Sequence, residues 1–211
     1  NFVGKIDRAI DKYFEKSKYL NDWVICKKMD TPFTKINLSM FMTYISLLSM
    51  KFYGDRTSVY LRIINHINRL LGAVTFNTSM AVMLPWESTR FLYPHAAQHF
   101  LDKTCEAYNI SRPVFEFLNF VAHIFPPMYL WMVRKHWSRF AAKPQTIFIS
   151  MFIHYSWVRF ITKDYNLNRI YMWGDKILND NQWIKLWMIA FMGHCSSYIF
   201  SSTPMIDHLD K

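Results

Sequence analysis

The sequence predicts an all-α fold: an integral membrane helical bundle with four or five membrane helices and an amphipathic N-terminal helix. Three observations lead there. Hydrophobic residues make up 52% of the 211-residue chain and charged residues only 19%, where a soluble domain spends about a quarter of its residues on charge. Five stretches carry no Asp, Glu, Lys or Arg: Ile36 to Met50, Leu70 to Trp86, Phe117 to Val133, Pro144 to Val158 and Leu186 to Ile206. Ahead of them, the first residues repeat at helical spacing.

Taken in order, residues 1–20 set Phe2, Ile6, Ile10, Tyr13 and Phe14 on one face, with Lys5, Arg8, Asp11, Lys12, Glu15 and Lys16 around the rest of the wheel. Such a helix lies along a lipid surface or packs on a partner subunit. About 20 apolar residues cross a bilayer core, within a range of about 17 to 25, so Leu186 to Ile206 spans by length alone. The other runs span if flanking Lys and Arg side chains reach back to the interface, and aromatic residues such as Tyr53, Trp86, Trp131 and Trp137 stand where interfacial belts form. Ile36 to Met50 and Pro144 to Val158 fit buried core helices as well.

Between the first two runs, Val59, Ile63, Ile64, Ile67, Leu70 and Leu71 share a face opposite Arg56, Arg62 and Arg69, which reads as an amphipathic connector or a helix leaving the membrane. Pro126 and Pro127 interrupt the third run, and a kink or break is expected there because each removes an amide donor. The chain thus divides into an amphipathic segment over 1–35, a helical region over 36–110 with two candidate membrane helices, a three-helix membrane anchor-like region over 111–206 and a tail over 207–211.

With five spans, Lys and Arg number 16 on the side of the amino terminus and 9 on the other. The positive-inside rule then puts the amino terminus inside, against the vote of the short basic loop Arg134 to Lys143. A net charge of +10 suits an anionic lipid surface such as one bearing cardiolipin, or import into a compartment that selects basic chains. Nucleic acid is not expected, because the aromatics sit inside apolar runs and alternate with no basic stripe. Cys26, Cys105 and Cys195 lie far apart and form no CxxC, which points away from disulfide frameworks and zinc knuckles. The start at Asn1 is what removal of a mitochondrial presequence would leave.

Chemistry, if present, rests on histidine. His123, His154 and His194 fall inside candidate spans, where an ionisable or metal-binding group is costly, although each also fits a structural hydrogen bond. His95 and His99 stand at i, i+4 as metal ligands can, but Ala96, Ala97 and Gln98 between them supply no general base and no further cluster follows. No GxSxG, Walker loop or dinucleotide fingerprint appears, and five glycines leave no GxxxG face.

The segment His154-Tyr-Ser-Trp157-Val-Arg159-Phe-Ile-Thr162-Lys-Asp164-Tyr165 ends a candidate membrane helix on an acidic-aromatic pair. With the preceding Phe125, Pro126, Pro127, Met128, Tyr129 and Leu130, it resembles the small membrane-anchor subunit, the small cytochrome b subunit, of mitochondrial succinate dehydrogenase in complex II. The resemblance covers about residues 112–206. It implies a membrane subunit of an inner-mitochondrial-membrane respiratory-chain complex that contributes to quinone and haem binding and to electron transfer, without itself oxidising succinate. It further implies that Tyr165 donates to a ubiquinone carbonyl, Asp164 orients nearby donors, Arg159 helps to place the anionic reduced species and His154 ligates the iron of haem b. Asp164 and Tyr165 equally suit a helix end meeting the interface. The competing expectation is a non-catalytic structural accessory subunit of a respiratory or ATP synthase complex, with no cofactor and with other subunits of the assembly as its partners.

Overall fold

The computed structural model describes residues 32–53, 59–141, 143–161 and 176–201. Its elements run α1 (Pro32–Tyr53), α2 (Val59–Leu92), α3 (Pro94–Tyr108), α4 (Arg112–Asn119), a π-helical turn (Phe120–Ile124), α5 (Phe125–Met132), a 3-10 turn (Arg134–His136), α6 (Ser138–Ala141), α7 (Pro144–Ile161), α8 (Asp180–His194) and α9 (Ser196–Ser201). The all-α class holds, with no strand among the described residues. The amphipathic stretch over residues 1–20 lies outside them.

Local chemistry sets the ends. Pro32, Pro94 and Pro144 open their helices and Pro113 stands second in α4, positions whose amides need no intrahelical partner. Asn179 caps α8 through a reciprocal box: its side chain accepts from Gln182 N at 3.0 Å, and its own amide donates to Gln182 Oε1 at 2.8 Å. Asn109 ends α3 at φ 52°, a left-handed conformation that Asn tolerates.

The expected break at Pro126 and Pro127 takes a milder form. Neither proline can donate to the carbonyl four residues back, so the turn widens: Phe125 N reaches Phe120 O, and the chain passes through the π-helical turn into α5.

α2 is the hub, and α8, α1 and α7 pack most extensively on it, in that order. Glycine makes the closest approach possible, since a Cβ on Gly193 would lie 2.5 Å from Ala81 N and Cα. At Gly72 a Cβ would stand 2.6 Å from Tyr44 Cε2 and 3.1 Å from Trp137 Cβ. Around Gly72 lies the main apolar core of Phe41, Tyr44, Phe76, Leu130 and Trp137.

Smaller apolar clusters form around Leu178 and Leu186 and around Phe33 and Trp157, and buried polar side chains tie the helices between them. Asn37 Oδ1 accepts from Thr78 Oγ1 at 2.9 Å and Ser79 Oγ at 3.0 Å, tying α1 to α2. The Asn68 side-chain amide bridges Tyr44 O and Leu48 N at 3.2 Å each. Asn77 Oδ1 accepts from Ser197 N at 2.8 Å, and Ser197 Oγ donates to Ala141 O at 3.1 Å.

The longest uncharged run, expected to cross a bilayer as one helix from Leu186 to Ile206, is not one helix. α8 starts earlier, at Asp180, and ends at His194; a turn at Cys195 follows before α9. Asn77 takes the Ser197 amide that would otherwise continue the helical ladder. No helix among the described residues is long and apolar enough to cross a membrane. The run Leu70 to Trp86, by contrast, joins the amphipathic connector before it in the single 34-residue α2.

Exposed ion pairs fasten the α3–α4 end. Arg112 donates to Asp102 at 2.8 Å and Arg90 to Glu116 at 2.8 Å. The Gln98 amide and the Arg112 guanidinium hold the Asp102 carboxyl below its ordinary range. Whatever stability this adds is present above the unfolded carboxylate pKa and lost as the pH falls through the lowered folded value. Because exposed pairs contribute little, Arg112→Ala should leave the thermal midpoint of the detergent-solubilised chain nearly unchanged at neutral pH, and a marked drop would show that the pair is a structural tether.

Candidate functional site

α7 carries polar residues inward. Thr146, Ser150, His154 and Trp157 are buried, whereas Phe148 and Phe152 are each 70% exposed and Tyr155 is exposed beside them. The two stripes follow from 3.6-residue periodicity, with the polarity of a water-soluble helix inverted. α8 shares only the apolar outer face: Leu186, Ala190, Gly193 and His194 face in, with His194 the one polar side chain among them, while Ile184, Met188, Phe191 and Met192 face out beside exposed Asp180, Asn181 and Lys185.

Packed on α2, the two helices bring together histidines 40 residues apart. His154 Nδ1 lies 2.8 Å from His194 Nε2, and His194 Nδ1 lies 3.1 Å from Ser150 Oγ. Ser150 Oγ in turn donates to Ile147 O at 2.9 Å. The His154 ring stacks against Phe33 of α1 at 4.2 Å and Trp187 of α8 at 5.1 Å between centroids.

Beside this pair lies a cavity of about 480 Å³ between α1, α2, α3, α4, the π-helical turn, α7 and α8, within the range of about 300–1,000 Å³ usual for ligand sites. Its wall is mostly apolar and aromatic, and no described residue lining it is Asp, Glu, Lys or Arg. Three lining residues, Trp86 (Nε1), Thr104 (Oγ1) and Asn119 (Oδ1), bury polar atoms that have no hydrogen-bond partner among the described residues. Native interiors rarely leave such atoms unpaired.

His123 also lines the cavity. Its Nδ1 donates to Asn119 O at 3.2 Å, leaving Nε2 to accept from Thr34 Oγ1 at 3.3 Å. The widened turn that carries it is a departure from α-geometry often found at functional sites.

Of the residues expected to form a site, His154 is at its centre. Arg159 falls on α7, but its side chain lies outside the described residues, as do Asp164 and Tyr165. His95 and His99 sit on α3, and no group of three or more His, Cys, Asp or Glu that could hold a metal ion occurs among the described residues. The pairing of His194 and Ser150 with His154 was not visible beforehand. Ser150 stands four residues before His154 and thus on the same helical face, which is the available signal; His194 required knowledge of the helix packing.

No protein-family model, curated protein or solved structure matches the chain.

Proposed function

We propose that this chain is a membrane subunit of a mitochondrial inner-membrane respiratory-chain complex, most specifically a succinate dehydrogenase-like membrane anchor, and that its cavity takes a quinone. The observation that carries the membrane part is the inverted polarity of α7, with the apolar outer side chains of α8 beside it. Threonine, serine and histidine go inside while phenylalanine, isoleucine and methionine face out, as lipid surroundings favour and water does not.

The cavity favours a neutral ligand, because a charged one would be desolvated there without a counter-charge. Ubiquinone, neutral and flat with two carbonyl acceptors, suits aromatic walls beside the Trp86 and Thr104 donors. Haem b fits the described wall less well, since its two carboxylates meet no Lys or Arg there. When bound, a quinone would supply two-electron redox chemistry; the chain's own residues would seat it and exclude water. Arg159, Asp164 and Tyr165 remain proposed members of the site at the end of α7.

The test is affinity in the full chain reconstituted in lipid. A short-tailed ubiquinone should bind, and Ala190→Phe, which fills the cavity from α8, should weaken binding at least about tenfold, or about 1.4 kcal/mol. Unchanged binding in that variant would remove the cavity from the account. The exposed faces of α4 and α5, with Phe117, Met128 and Met132, favour contact with lipid or partner subunits. They are what the second reading, a structural accessory subunit without a cofactor, draws on.

A further inference from the structure

We infer that the cavity selects a ligand that donates a hydrogen bond, a hydroquinone or other neutral phenol, over one that only accepts, because the His154–His194–Ser150 chain fixes His154 Nε2 as a bare acceptor. This rests on the reading of the cavity as a quinone site and adds to it the form that is held.

The direction of the chain follows from its last link. Ser150 Oγ and Ile147 O are two oxygens 2.9 Å apart. One hydrogen must lie between them, and a carbonyl has none to give, so the serine hydroxyl supplies it. With its single proton committed, Ser150 Oγ can only accept from His194, so at 3.1 Å His194 Nδ1 is the protonated nitrogen. In a neutral imidazole the other nitrogen then carries a lone pair. His194 Nε2 therefore accepts from His154 Nδ1–H at 2.8 Å, which leaves His154 Nε2 unprotonated.

The same contacts determine what that nitrogen meets. Phe33 and Trp187 stack against the His154 ring, Trp157 lies 5.8 Å from it between centroids, and His194 occupies its Nδ1 edge. His154 is 7% exposed and lines the cavity, and the inferred contact with the ligand is made by Nε2, the ring nitrogen that the chain leaves as an acceptor. Nε2 has no hydrogen-bond partner among the described residues. A hydroxyl donor would satisfy it, whereas a quinone carbonyl would set lone pair against lone pair.

Nitrogen-15 spectra of histidine-labelled chain in lipid should show both His154 and His194 as Nδ1–H tautomers, assigned by the loss of one signal set in His154→Phe, a variant that keeps an aromatic ring against Phe33 and Trp187. Calorimetry under anaerobic, reducing conditions should find a short-tailed ubiquinol bound about tenfold more tightly than the same ubiquinone measured without reductant. The preference should vanish in His154→Phe and shrink in Ser150→Ala, which frees the chain to reverse. Equal affinity for the two forms, a preference retained in His154→Phe, or an Nε2–H signal on His154 would overturn the fixed acceptor while leaving the cavity a quinone site. Binding of neither form would reject both.

Discussion

Trp137→Ala is expected to be among the most destabilising single changes, costing about 3–5 kcal/mol, the range for emptying a large aromatic from a packed core. The ring is 2% exposed, stacks on Phe76 at 4.9 Å between centroids and donates from Nε1 to Leu130 O at 2.9 Å. It thereby fastens the turn after α5 onto the centre of α2, where Gly72 leaves room for it. The surrounding Tyr44, Phe76 and Leu130 come from three different helices, so no single side chain can relax into the void. Thermal unfolding in mild detergent should show a large fall in midpoint or loss of the cooperative transition. Trp137→Phe, which gives up the indole N–H but keeps a ring, should fall between that variant and the parent. A parent-like midpoint for Trp137→Ala would mean that the core does not depend on this contact.

Gly193→Ala should come next, although it adds only one methyl group. Its Cβ would stand 2.5 Å from Ala81 N and Cα and 2.7 Å from Met80 C. Those are backbone atoms, which cannot rotate away as a side-chain end can. α8 must therefore shift from α2, the most extensive packing in the molecule, at a cost of about 1–3 kcal/mol or more. The shift should also be felt next door, because His194 follows Gly193 directly and its 2.8 Å bond to His154 depends on the closeness of the helices. The expected result is a lower unfolding midpoint together with displaced histidine nitrogen-15 signals. An unchanged midpoint with unchanged signals would show that the α2–α8 contact is looser than described.

These two sites mark where sequence was informative and where it was not. Uncharged runs located the helices: Ile36 to Met50 falls within α1, Leu70 to Trp86 within α2 and Pro144 to Val158 within α7. They misjudged the ends, because lack of charge marks what can be buried, while hydrogen bonds decide where a helix starts and stops. Lys185 delayed the apparent start of the last run. The Asn179–Gln182 capping box starts the helix before it, and the Asn77–Ser197 bond interrupts it after His194. The paired prolines signalled a local disturbance correctly, and the widened turn they produce is set by which carbonyls lose their donors.

Of the candidate site, His123, His154 and His194 were legible as histidines within uncharged runs, but the pairing of His154 with His194 was not. The two partners are 40 positions apart, and their proximity follows from the packing of α7 and α8 on α2, which no spacing pattern encodes. The inverted polarity, in contrast, can be read from α7 once its inward face is known. Thr146, Ser150 and His154 recur every fourth residue while Phe148 and Phe152 recur on the opposite side. A count of apolar residues averages the two faces and hides the pattern.

That inverted polarity underlies the central proposal, a helical bundle embedded in a membrane, and alkaline carbonate extraction of native membranes tests it most directly. The chain is predicted to remain in the membrane pellet with its exposed Phe148, Phe152, Met188 and Phe191 covered by lipid or by partner subunits that are themselves embedded. Recovery of the whole chain in the carbonate supernatant would contradict the account.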